Sequence, residues 1–356
     1  MEKKFEKYQK AFITKAVQNG YSEDNINKCL AYAEPLISKG LPVIYNISHF
    51  SFLVGYNVNY IKRAVFFTEY FYRKFGIKKS NGSIRTISEP LPSLKEIQSW
   101  ILTELLYKNK VSKYAKGYVP KRGIKDHVKY HTKESKVLTL DIKNFFDSVK
   151  MEHTENLFLE MGYSKNISNL LTKLCYLDNS LPQGAPTSPY ITNILLYKFD
   201  ETIAKYCRDN DLKYTRYADD LAFSGDIKKI ALIKLVRSEL RKLNLRLNND
   251  KIKLMKPYQR QVISGITVNH KMQVSKKKRN IIRNEMFFIK KFGLENHMNK
   301  TGQNKDNYFL HLIGKINYIL LINPKDTEFI DYKKYLYENE KPAGNKDVYN
   351  LCSNRI

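Results

Sequence analysis

A chain of 356 residues, 42% hydrophobic and 27% charged, can bury a sizeable core and is neither fibrous nor a disordered polyelectrolyte. Its net charge of +27 at pH 7 calls for a polyanionic partner, with nucleic acid ahead of a membrane surface. No apolar run approaches the ~18 residues of a spanning helix, and the opening MEKKFEKYQKAF lacks the apolar core of a signal peptide, so the chain is expected in the cytoplasm.

In chain order, residues 1–35 alternate charged and apolar side chains at helical spacing, which predicts a helix face of Phe5, Tyr8, Phe12 and Ile13. Residues 75–90 read as a hairpin turning at Ser80-Asn81-Gly82, since Asn-Gly is a strong turn signal. Ser93 and Glu96 form a capping-box pattern ahead of Leu94, Ile97, Ile101 and Leu105 at helical spacing. Residues 135–146 (SKVLTLDIKNFF) predict a buried strand running into a polar-aromatic turn. Residues 181–189 (LPQGAPTSP) predict a loop, because three prolines and a glycine in nine residues disfavour regular structure. A helix should follow on Ile191, Ile194, Leu195, Phe199 and Ile203, and KYTRYADDLAFSG then reads as two strands around a tight turn. A second helix is expected over roughly 227–243, short strands around 252–275, a basic helical region from Lys276, and a polar tail. The layout is α+β, an antiparallel sheet backed by helices. The cysteines, Cys29, Cys175, Cys207 and Cys352, form no C-x-x-C pair and read as reduced thiols with packing roles.

Three acids occupy positions where a strand should be apolar: Asp141, Asp219 and Asp220. A carboxylate at a strand end costs desolvation unless a cation balances it. Carboxylates brought together from two strands suit hard divalent ions, a pair of which can drive phosphoryl transfer. Taken singly, Asp219–Asp220 could equally be a surface turn and Asp141 a helix cap.

Taken in order, the set is Arg85-Thr86-Ile87 after a hairpin, LTLDIKNFF, LPQGAPTSP, YADD, a lysine in NNDKIK, and ISGI. From about residue 75 to 320 the chain resembles a reverse transcriptase, and the wording of LKEIQSWIL, LPQGAPTSP, YTRYADDL and ISGITV resembles the bacterial retron type. The resemblance implies a right-hand polymerase fold: a helical extension over 1–74, fingers over 75–134, and a palm with an antiparallel sheet over 135–268, of which 150–182 returns to the fingers. A basic, RNA-binding helical thumb over 269–338 and a polar tail over 339–356 complete it. It implies that Asp141 and Asp219, with Asp220 less directly, hold two Mg²⁺ ions. Phe146 would be the steric gate against a ribose 2′-OH, Gln183 and Gly184 would lie beside the incoming dNTP, and Arg85 would grip its triphosphate. Lys251 would protonate or neutralise the pyrophosphate leaving group. Lys276, Lys277, Lys278, Arg279 and Arg283, in the presumed thumb, are expected to contact RNA phosphates.

The subgroup further implies a cognate noncoding RNA primed from a guanosine 2′-OH, branched msDNA as product, and anti-phage defence alongside a separate effector protein. A non-retron bacterial reverse transcriptase and a catalytically idle RNA-binding scaffold are the competing readings. Two local departures stand out. Of the subgroup's Asn-Ala-x-x-His string, HVKYH keeps only His131, and Val-Thr-Gly appears as Ile263-Ser264-Gly265. The His127/His131 spacing could also suit zinc, but no third ligand lies nearby in sequence, and a structural or RNA-contacting role is expected.

Overall fold

Spacing of apolar residues by three and four shapes the start of the chain. In the computed structural model, which describes residues 2–78, 82–302 and 307–339, α1 (Glu2–Gln18) and α2 (Glu23–Ser38) form a helical pair. Phe5, Tyr8 and Phe12 pack on Ala16, Ile26 and Leu30. Ile13 departs from the expected face: one position past Phe12 it is rotated about 100° away and lies exposed.

α3 (Ile47–Val54) and α4 (Val58–Phe66) start at Asn46 and Asn57, whose side chains accept from the amides of His49 and Tyr60. The hairpin follows as β1 (Tyr72–Lys78) and β2 (Ile84–Pro90), antiparallel from Tyr72 opposite Pro90 to Lys78 opposite Ile84. Ser80 and Asn81 of its expected turn lie outside the described residues. α5 (Pro92–Trp100) does not use the expected capping box. Pro92 takes the first helical position, Ser93 Oγ bonds the Tyr60 hydroxyl, and Glu96 accepts from the Tyr56 hydroxyl. The apolar stripe is buried as expected, Leu94 and Ile97 on α5 and Ile101 and Leu105 on the π-helical turn Ile101–Leu105 that continues it. Gln98, also fully buried, donates to the Tyr72 hydroxyl and to the Leu174 carbonyl, both at 2.8 Å.

After α6 (Ile124–Val128) come β3 (Val137–Asp141), α7 (Met151–Met161) and α8 (Lys165–Cys175). The loop of residues 181–187 leads into α9 (Ser188–Leu195) and α10 (Tyr197–Asp209), so the single expected helix is broken at Leu196. β4 (Lys213–Tyr217) and β5 (Asp220–Ser224) pair antiparallel around the expected tight turn, and α11 (Lys229–Arg241) follows. Short strands β6 (Lys253–Met255), β7 (Val262–Ile263), β8 (Ile266–Thr267) and β9 (Gln273–Val274) precede α12 (Lys276–Phe292), α13 (Leu294–Thr301), α14 (Tyr308–Ile322) and α15 (Thr327–Asn339).

The chain divides into two compact units. The first comprises the residues up to Gly123 with Leu138–Lys253; the second comprises Ile124–Val137 with the residues from Leu254 on. The central sheet runs β4-β5-β3-β6, and the chain leaves the first unit at Lys253, within its last strand. In the second unit, residues 124–137 are sewn to the later strands. The Lys133 amide donates to the Val268 carbonyl at 3.2 Å, and the Gln261 side chain to the Glu134 carbonyl at 3.1 Å.

Burial pushes the Cys175 and Cys207 thiols up to about 12, in keeping with inert packing groups. Among the described residues no helix is long and apolar enough to cross a membrane.

Candidate active site

The first unit holds a cavity of about 590 Å³ lined by Arg85, Asp141, Phe146, Gln183, Asp219 and Lys251, with Lys74, Tyr118, Asn144, Asp147, Asp178 and Asn248 among its other walls. Residues far apart in sequence, each expected at a catalytic centre, therefore face one space.

The strands explain the convergence. β3 ends at Asp141, and the β4–β5 turn carries Asp219. The Ile142 amide donates to the Asp219 carbonyl at 3.1 Å, which locks the two carboxylate-bearing ends together. On the other side of β3 the Asn248 amide donates to the Asp141 carbonyl at 2.8 Å, and Lys251 Nζ reaches Asp141 Oδ2 at 2.7 Å.

The electrostatics are those of a cation site. Asp219 is raised to about 6, first by burial and then by the neighbouring Asp220 and Asp141 carboxylates. Lys251 is raised in turn by its hydrogen bond to Asp141. The donors facing the cavity are carboxylate oxygens, which suit a hard divalent ion rather than zinc or copper. Among the described residues no group of three or more His, Cys, Asp or Glu side chains is poised to hold a metal, and Asp220, at the head of β5, does not line the cavity. Asp141 and Asp219 would fit a hard divalent ion that takes its other oxygen ligands from outside the protein.

The turn itself is held by residues that sequence reasoning passed over. Arg216 and Asp200 are both fully buried, with Nε to Oδ1 at 2.8 Å and Nη2 to Oδ2 at 2.7 Å. Arg216 Nη1 also donates to the Ala218 carbonyl at 3.1 Å and to Asn193 Oδ1 at 3.0 Å. Ala218 needs that hold, because its φ of 54° lies in the left-handed region, unfavourable for a residue with a Cβ. The Asn193 amide donates in turn to the Gly117 carbonyl at 2.9 Å. A Cβ on Gly117 would sit 2.9 Å from the Ala218 nitrogen, so only glycine admits the chain there. A signal was present: Asp200 lies on the apolar stripe of Leu196, Phe199 and Ile203, where a lone acid calls for a buried partner.

Gly184 has a packing reason of its own. Its φ is 131°, and a Cβ there would meet the Ser88 carbonyl at 2.7 Å, so its bareness admits the backbone of β2. Beside it the Ser88 amide donates to the Gln183 carbonyl at 2.8 Å, tying the loop to β2. Phe146 is half-buried against Phe145, ring centroids 5.3 Å apart. Tyr118, unmarked by the sequence, is raised by burial and by the Tyr217 and Asp219 charges.

In the second unit Lys276, Lys277 and Lys278 are exposed, as phosphate contacts require. Arg279 differs from expectation, while Arg283 is half-buried. Arg279 is buried, paired with Asp326 and, at 3.1 Å, with Glu328, while Arg283 meets Glu328 at 2.5 Å. Arg279 falls on the core stripe of Ile282, Met286 and Ile289, so it is a structural cation rather than a surface one. His127 and His131 are both buried, with ring centroids 6.4 Å apart, in keeping with a structural role.

Residues 77–289 match the family model described as reverse transcriptase (RNA-dependent DNA polymerase). The chain is 30% identical over 259 residues to the retron Ec86 reverse transcriptase of Escherichia coli, covering 70% of this chain and 80% of that protein. It is 31% identical over 284 residues to the retron Ec83 reverse transcriptase of Escherichia coli, covering 74% and 86%. It is 29% identical over 295 residues to the retron Mx65 reverse transcriptase of Myxococcus xanthus, covering 77% and 65%.

Proposed function

The chain belongs to the reverse transcriptases, as an RNA-directed DNA polymerase of the retron type with the right-hand α+β polymerase fold, and from that premise we propose how it works and on what. It copies part of a cognate noncoding RNA into DNA, starting from a guanosine 2′-OH within that RNA, and the product is the branched RNA–DNA hybrid msDNA. The setting is the cytoplasm and anti-phage defence, with a separate effector protein. The hairpin and the helices after it serve as fingers, the β4-β5-β3 sheet as palm, and α12–α15 as thumb.

The observation that carries the catalytic reading is the convergence of Asp141 and Asp219 on one cavity with Arg85, Phe146, Gln183 and Lys251. Asp141 and Asp219 would hold two Mg²⁺ ions, with Asp220 contributing charge from behind. The ions, when bound, supply activation of the attacking hydroxyl and neutralisation of the triphosphate. Arg85, exposed on β2, offers a fixed fork of donors to phosphate oxygens. Phe146 packs under the sugar and leaves a 2′-OH clashing and without a partner. Lys251 gives up Asp141 as the site fills and turns its ammonium to the departing pyrophosphate.

The test has two parts. Asp219→Ala is expected to abolish dNTP incorporation on a primed RNA template while RNA binding survives; full extension by this variant would sink the catalytic reading. Expression of the gene with its upstream region is expected to yield branched DNA whose mobility shifts on debranching. A clean preparation without such DNA would refute the retron product.

A further inference from the structure

A second concave surface of the first unit opens beside the catalytic strand, with a volume of about 790 Å³. Lys150, Arg237, Arg241 and Arg246 line it with Asn244 and Asn249, and neither an acidic nor an aromatic side chain is among its walls. All four cations are exposed, and among the described residues none of them is ion-paired to a carboxylate. Like charges gathered in one groove repel one another, and an anion there relieves the repulsion.

The groove is built rather than an accident of loose side chains. Arg237 and Arg241 are four apart on α11 and so share a face, and Arg237 Nη2 donates to Asn249 Oδ1 at 2.9 Å. The Lys143 amide donates to the Arg246 carbonyl at 2.9 Å, and Ile142 bridges Leu247, so the segment carrying Arg246 runs alongside the continuation of β3 past Asp141. Charge and shape are offered, while nothing can stack a base. That combination suits a sugar–phosphate backbone rather than a free nucleotide.

We infer that this groove binds the phosphate backbone of RNA at a stretch outside the catalytic cavity, holding the copied RNA to the enzyme without regard to its sequence. Arginine forks take successive phosphates, and the Asn244 and Asn249 amides are placed for phosphate or 2′-OH oxygens. The inference rests on the reading of the chain as an RNA-copying polymerase, because such an enzyme must retain its template through many additions.

The experiment measures binding of a fluorescein-labelled RNA hairpin across a salt series, for the full chain and for Arg241→Ala/Arg246→Ala. Loss of two phosphate contacts should flatten the plot of log K against log salt by roughly 1.4 to 1.8 units, with affinity reduced about tenfold or more at low salt. Arg241→Lys/Arg246→Lys should keep the wild-type slope, which separates lost charge from lost fold. Lys205→Ala, an exposed cation on α10 outside the groove, should leave it unchanged. An alanine pair with the wild-type slope overturns the inference. So does a Lys205→Ala slope that falls per charge as the pair does, because charge anywhere would then suffice. Asp219→Ala stands apart from these arms: it tests incorporation, and its result leaves the groove measurement intact.

Discussion

The buried Arg216–Asp200 pair sets how firmly the catalytic turn is held. Four donor–acceptor contacts from one guanidinium reach Asp200, Asn193 and the Ala218 carbonyl. Asp200→Asn keeps the shape but leaves a buried cation without its counter-charge, at an expected cost of about 3–5 kcal/mol, read from urea unfolding. An unfolding midpoint equal to the wild type's would show that the pair is dispensable. Phe146→Ala should admit ribonucleotides, visible as a sharp fall in the ratio of dNTP to NTP kcat/KM; an unchanged ratio would remove Phe146 from that role. Asp141 and Asp219 drew attention because an acid among apolar residues is costly, with the ordered motifs deciding, and the same cost applies to Asp200 on the apolar face of α10. Its partner was hidden, since which cation meets a buried acid depends on packing that no local pattern records.

At the scale of elements, period and turn chemistry carried well and capping did not. The hairpin, β3, the β4–β5 pair and α11 appear where the sequence places them, because each rests on its own periodicity and breakers. The Ser93/Glu96 pattern was matched in spacing only. Both side chains bond tyrosines of α4 and its approach, partners that lie far off in sequence. α12 sorts its basic residues by face, and this gives a paired prediction. Lys276→Ala/Lys277→Ala should weaken RNA binding and flatten its salt dependence while leaving thermal stability near the wild type. Arg279→Ala should strand Asp326 and cost about 3 kcal/mol. Reversed outcomes would mean that the two faces had been misassigned. β2 adds a mechanical point: anchored at Ser88 to the loop of Gln183, it presents Arg85 three residues beyond the anchor.

For the whole molecule, the charge of +27 makes binding to RNA a strong function of salt. With six or more phosphate contacts, affinity should fall about a thousandfold or more between ~50 and ~200 mM salt. A shallow dependence in fluorescence anisotropy would show that most of the excess charge lies off the path of the RNA. Connectivity adds a last consequence. The chain passes between its two units at Gly123–Ile124, Val137–Leu138 and Lys253–Leu254. Asp141 comes four residues after Val137, and Lys251 two residues before Lys253. The two members of the 2.7 Å ion pair thus each lie a short tether from the second unit, four residues from Val137 and three from Leu254, spans of no more than roughly 14 Å and 10 Å even if drawn straight.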